Sequence, residues 1–103
     1  MDGPNELSWQ IRAAGLPEFT MEYRFHPERR WRLDLAFIPR LLAVEIEGGI
    51  WINGRHNRSS GYLKDIEKYN ELAILGWRLL RFTPDQVRVG LALQCIERAL
   101  RAH

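Results

Sequence analysis

Apolar positions change their spacing along the chain. In the first segment Leu7, Ile11 and Ala14 share one helical face, and Gly15 followed by Pro17 stops it; Asn5 is placed to cap the start. Met21 to Phe25 then alternates as a short strand. Trp31 to Phe37 alternates more clearly: Trp31, Leu33, Leu35 and Phe37 point one way, Arg32, Asp34 and Ala36 the other. After a turn at Pro39-Arg40, Leu42, Val44 and Ile46 alternate with Ala43, Glu45 and Glu47. Residues 48–60, rich in glycine, asparagine and arginine, read as a loop. Tyr62, Ile66, Tyr69 and Ala73 then recur at helical spacing up to Gly76. Trp77 to Phe82 is a mostly apolar strand. Pro84 opens a last helix striped by Val89, Leu93, Ile96 and Leu100. The order α-β-β-β-α-β-α predicts an α/β sandwich around a mixed four-stranded sheet.

The 103 residues fit a single domain spanning 1–103, large enough to bury roughly two-thirds of its unfolded surface. Hydrophobic residues make up 46% and charged ones 27%, which excludes a disordered or collagen-like chain. No apolar run reaches the ~18 residues of a membrane helix, and no signal peptide is visible, so a cytoplasmic setting and no membrane partner are expected. The single cysteine, Cys95, cannot form an internal disulfide or a multi-thiolate zinc site, and reads as inert.

Net charge is +2, but residues 1–52 carry 6 basic and 8 acidic side chains and residues 53–103 carry 9 and 5. Of the 15 basic residues 13 are arginine, whose planar fork suits phosphate oxygens. The run Arg29, Arg30, Arg32 either tracks a nucleic-acid backbone or is a solvated strand entry.

The informative step is the pairing of the second and third strands. With the turn centred on Pro39-Arg40, Leu33 faces Ile46, Leu35 faces Val44 and Phe37 faces Leu42, which puts both apolar sets on one face. Asp34 then lies opposite Glu45, with Glu47 on the same side. Opposed carboxylates repel, so the patch needs a cation. Arg32 could supply it, as could a metal; hard oxygen ligands suit magnesium or manganese. The alternative is a solvent-facing strand laced with salt bridges. Small neighbours on the acidic face, Ala36 and Ala43, favour a partly covered site, and the acids lie just before the flexible Gly48-Gly49 and a basic loop.

Asp on the second strand and Glu on the third, within this element order, resemble the PD-(D/E)XK nuclease superfamily. The stretches Arg32-Leu33-Asp34, Val44-Glu45-Ile46-Glu47-Gly48-Gly49 and Gly76-Trp77-Arg78-Leu79-Leu80-Arg81-Phe82 are similar to small endonucleases related to very-short-patch repair enzymes, many of them phage-encoded. Gly54-Arg55-His56, Gly61 and Asp65-Ile66-Glu67-Lys68-Tyr69-Asn70 resemble that group too. The resemblance spans about Glu6 to Val87. It implies a restriction-endonuclease-like αβββαβ core with a C-terminal helix. It also implies Asp34, Glu45, the Ile46 carbonyl and Glu6 as ligands of Mg2+ or substituting Mn2+. The structural zinc of the repair enzymes is not transferred, for want of cysteines.

One position departs from the pattern: Glu47 stands where the superfamily usually has a lysine. Lys68, or Lys64 one turn earlier, could replace it from the second helix; their alternative reading is surface salt bridging. Glu47 could instead bind a second metal. His56 could position water, bind metal or contact phosphate. Arg55, Arg58, Lys64 and Arg32 are candidate DNA contacts, and Trp51 could stack on a base or cap the core. Trp9, Trp31 and Trp77 read as core, and His26 as strand-end structure. The expectation is a Mg2+-dependent DNA endonuclease leaving 5′-phosphate and 3′-hydroxyl ends, a homodimer if it cuts both strands, acting in the host cytoplasm if phage-encoded. The alternative is an inactive nuclease-fold DNA-binding or phage accessory protein.

Overall fold

A computed structural model of the chain describes residues 2–47 and 60–102. Its elements are α1 (Gly3–Ala13), β1 (Thr20–Arg24), β2 (Arg32–Phe37), β3 (Leu42–Ile46), α2 (Ser60–Ile74), β4 (Arg78–Phe82), α3 (Pro84–Arg88) and α4 (Leu91–Arg101). One sheet runs β1-β2-β3-β4, antiparallel across the first three strands and parallel between β3 and β4. The predicted mixed four-stranded sheet with flanking helices is what forms. None of the described helices is long and apolar enough to cross a membrane.

Each sheet face buries its own cluster. Leu35, Phe37, Leu42, Val44 and Phe82 pack with Leu7 and Ile11 of α1, Val87 of α3 and Ile96 of α4. Leu33, Ala36 and Ala43 pack on the other side with Phe25 and Leu72 of α2. Alternation along β3 and β4 is the cause: even positions from Leu42 to Phe82 feed the first cluster, odd ones such as Ala43 and Leu79 the second.

The predicted register of β2 on β3 is present: Leu35 pairs with Val44 and Phe37 with Leu42. The connection is a 3-10 turn, Ile38–Arg40, closed by Leu41 in the left-handed region. The ladder stops at Leu35 and Val44, so the expected partnership of Leu33 with Ile46 is absent. Leu33 also sits on the α2 side, away from Leu35. The cause lies on β1, where Glu22 takes a positive φ of 53° and drops out of the ladder opposite Asp34. Past that point Tyr23 and Leu33 pair again but face α2. An apolar-polar count assumes an unbroken pleat and cannot register the reversal.

Four further expectations are corrected. The α1 cap is Asp2, whose carboxylate accepts the Asn5 N–H at 2.9 Å; Asn5 is inside the helix. Trp9 is 62% exposed and is not core. The face of α2 toward the sheet carries Lys68, Tyr69 and Leu72, while Ile66 and Ala73 face solvent. The last helix is two helices, broken at Gly90 (φ 87°); Ile96 and Leu100 are buried as expected, but Val89 is exposed, and Val87 and Ala92 are buried in addition.

Candidate active site

Where the β2–β3 ladder ends, side chains take over the hydrogen bonding. The Asp34 N–H donates to Glu45 Oε2 at 2.9 Å, and the Ile46 N–H donates to Asp34 Oδ2 at 2.7 Å. Each carboxylate thus satisfies a backbone donor that a continued ladder would have used. The pairing predicted from the sequence does bring Asp34 and Glu45 side by side.

Glu45 is only 8% exposed, and an isolated buried carboxylate would cost several kcal/mol. Two α2 residues offset that cost. Lys68 Nζ donates to Glu45 Oε1 at 3.0 Å and to the Arg32 carbonyl at 2.8 Å. Tyr69 OH donates to the same Oε1 at 3.0 Å. Burial and then the Glu45 charge hold the Tyr69 phenol far above its ordinary pKa, so it stays a donor. Lys68 is therefore turned inward, and this charged contact fixes the phase of α2.

Asp34 is less well compensated. Burial raises its pKa; the Ile46 N–H opposes that rise, the charges of Glu45 and Glu22 add to it, and Lys68 offsets part. Oδ2 is engaged by Ile46, and no hydrogen bond to Oδ1 occurs among the described residues. Asp34 and Glu45 thus make an adjacent pair of carboxylates, of which Glu45 has the Lys68 ammonium as counterion and Asp34 has no ion pair among the described residues.

Other expected site residues lie apart from this pair. Glu47 is gripped by Arg81 in a two-bond fork (2.9 and 3.1 Å), and the Arg81 guanidinium lies 4.9 Å over the Tyr69 ring. That fork raises the Arg81 pKa and neutralises Glu47, which argues against a free second-metal carboxylate. The cation expected to quiet the acids, Arg32, pairs instead with Glu22 at 3.7 Å. Lys64 is exposed. Glu6 stands in the first turn of α1, which abuts the end of β3: a Cβ on Gly3 would fall 2.8 Å from Ile46 Cγ2. Even so, among the described residues no three His, Cys, Asp or Glu side chains cluster closely enough to hold an ion. His56, Arg55, Arg58 and Trp51 lie outside the described residues.

Sequence reasoning missed Tyr69, Arg81 and Glu22 at this site. Arg81 had a signal, as a charge inside the apolar run Leu79 to Phe82, in register with Glu45. Tyr69 was visible only as one member of an apolar stripe. His26 is structural as expected: Nδ1 accepts the N–H groups of Glu28 and Arg29, so the proton sits on Nε2, 3.0 Å from Glu71.

No family model matches the chain, and no curated protein matches it. Among solved structures it is similar to the catalytic domain of the homing endonuclease I-Bth0305I, at a TM-score of 0.70 and 17% identity. The match covers 96% of this chain and 93% of that domain. The αβββαβ arrangement and its flanking helices are thus a fold shared with that domain over nearly the whole length of both chains.

Proposed function

We propose that this protein is a metal-dependent DNA endonuclease of the PD-(D/E)XK type, related to the very-short-patch repair group. The observation that carries the reading is the Asp34–Glu45 pair at the mouth of the split β2–β3 ladder, with Lys68 bonded to Glu45. The solved catalytic domain of the same fold belongs to a homing endonuclease, which supports DNA as the substrate.

The donor set fits a hard divalent cation. Two carboxylates are adjacent, the Asp34 pKa being raised first by burial and then by the charges of Glu45 and Glu22, and the Ile46 carbonyl is next in the chain after Glu45. Asp34, Glu45 and the Ile46 carbonyl would hold Mg2+ or Mn2+, and Glu6 on the first turn of α1 is the further acid that the resemblance names. Such an ion lowers the pKa of a water and offsets charge building on the phosphate. Tyr69 and Lys68 fix Glu45 Oε1, which leaves Oε2 turned toward Asp34. With two donors spent, Lys68 keeps a third N–H for water or phosphate, the work given to the missing motif lysine. The products would carry 5′-phosphate and 3′-hydroxyl ends; a homodimer would cut both strands, a monomer would nick.

A second reading, a binding protein that keeps the fold without turnover, is favoured by one observation: Glu47 is already neutralised by Arg81. The test is a panel of plasmid, single-stranded, mismatched and four-way-junction DNA, each with Mg2+, Mn2+ or EDTA. Metal-dependent cleavage supports the nuclease and names its substrate. DNA binding without cleavage of any substrate establishes the second reading.

A further inference from the structure

Most arginines of the described chain are fixed internally. Arg29 forks onto Glu67 and lies over Trp31, Arg81 grips Glu47, and Arg40 and Arg78 donate to carbonyls at the end of α4. The tip of the β1–β2 hairpin is different. Arg24 and Arg32 are directly opposed on the ladder, both exposed, and the exposed Arg30 lies two residues before Arg32. Like charges directly opposed on a ladder destabilise it. Only Glu22, at 3.7 Å from Arg32, answers them among the described residues. Tyr23 and Leu33 face α2, so Arg24 and Arg32 lie on the other side of the hairpin, the side on which α1 packs. Arg32 is two residues from Asp34 along β2 and pairs with Glu22, the β1 residue opposite Asp34.

We infer that Arg24, Arg30 and Arg32 form a phosphate clamp that seats the DNA backbone beside Asp34. An anionic strand would resolve the opposed charges, and the guanidinium fork matches phosphate oxygens with two bonds. The contact carries no sequence information; it sets where the backbone lies relative to the carboxylates. The inference rests on the nuclease reading and adds the surface on which its substrate sits.

The test is binding of a fluorescent duplex in EDTA, so that nothing is cut, across a salt series. The proteins are the wild type, Arg24→Gln, Arg32→Gln, the double variant and Arg101→Gln. Arg101 is an exposed arginine in the last turn of α4. Each hairpin substitution is expected to reduce the slope of log affinity against log salt by about 1, about 2 for the double variant, and to weaken all duplex sequences alike. Arg101→Gln is expected to leave the slope unchanged. Hairpin variants that match the wild type, or that lose no more than Arg101→Gln, overturn the clamp. If the wild type still cleaves DNA in Mg2+ under those results, the clamp alone has failed. If the wild type neither binds nor cleaves duplex, the nuclease reading fails with it.

Discussion

Glu45 accepts three protein donors on two oxygens, one each from Lys68, Tyr69 and the Asp34 backbone. Lys68 and Glu45 are both nearly buried, with side-chain exposures of 14% and 10%. Removing the ammonium leaves a buried charge without its counterion, so Lys68→Met is expected to destabilise the fold by roughly 3 kcal/mol. Adding Glu45→Gln should recover part of that loss, because the neutral amide leaves no buried charge, although its single carbonyl oxygen replaces only one of the two acceptors that Tyr69 and the Asp34 N–H use. Urea unfolding of the two variants checks both statements, and an unaffected Lys68→Met would remove the pair from the account. Asp34 behaves oppositely. Its folded pKa is raised, so its favourable contribution is present at acid pH and is lost as pH rises through that folded value. At neutral pH the metal-free protein carries a destabilising carboxylate. Asp34→Asn is therefore expected to melt at or above the wild-type temperature near pH 7, with the gap closing toward low pH. Paired melting curves across pH measure this, and a lower Tm for Asp34→Asn at neutral pH would contradict it.

At the scale of elements, the site exists because three pieces of backbone meet where a ladder stops. Gly3 lets α1 lie against Ile46 at the end of β3. Ala at this position would gain helix propensity of up to about 1 kcal/mol, and less in the first turn. The Cβ would meet Ile46 Cγ2 at 2.8 Å, and overpacking costs about 1–3 kcal/mol. Gly3→Ala should therefore lower stability by about 1 kcal/mol in urea unfolding, and the same substitution in an Ile46→Ala background, which lacks Cγ2, should cost less. The pairing of β2 with β3 was legible because a short turn and two clean alternations agree on one register. The inward Lys68 was legible only as an option, since the stripe Tyr62, Ile66, Tyr69 and Ala73 gave the wrong phase: the buried side of α2 carries Leu72 together with Lys68 and Tyr69, which meet the buried Glu45. The reversal at Glu22 was not legible, because nothing in a glutamate announces a positive φ. Nor was the break before α4, where Val89 to Leu100 reads as one continuous stripe.

At the scale of the whole molecule, Glu45 faces α2 and Asp34 lies beside it where the β2–β3 ladder ends, with α1 at the end of β3 and the arginine tip of the β1–β2 hairpin next along β2. A ligand that binds only the folded state stabilises it; at ten times its Kd the gain is about 1.4 kcal/mol, or several degrees in Tm for a domain of this size. Mn2+ or Mg2+ should raise the Tm of the wild type by that amount and leave Asp34→Asn unmoved. The most direct measurement of the central claim is the nicking of supercoiled plasmid by wild type and Asp34→Asn, in Mg2+ and in EDTA. The wild type is expected to nick in Mg2+ alone, at a rate at least about a hundredfold above that of the variant, folded as judged by its Tm. Nicking that persists in EDTA, or that survives Asp34→Asn at the wild-type rate, would contradict it.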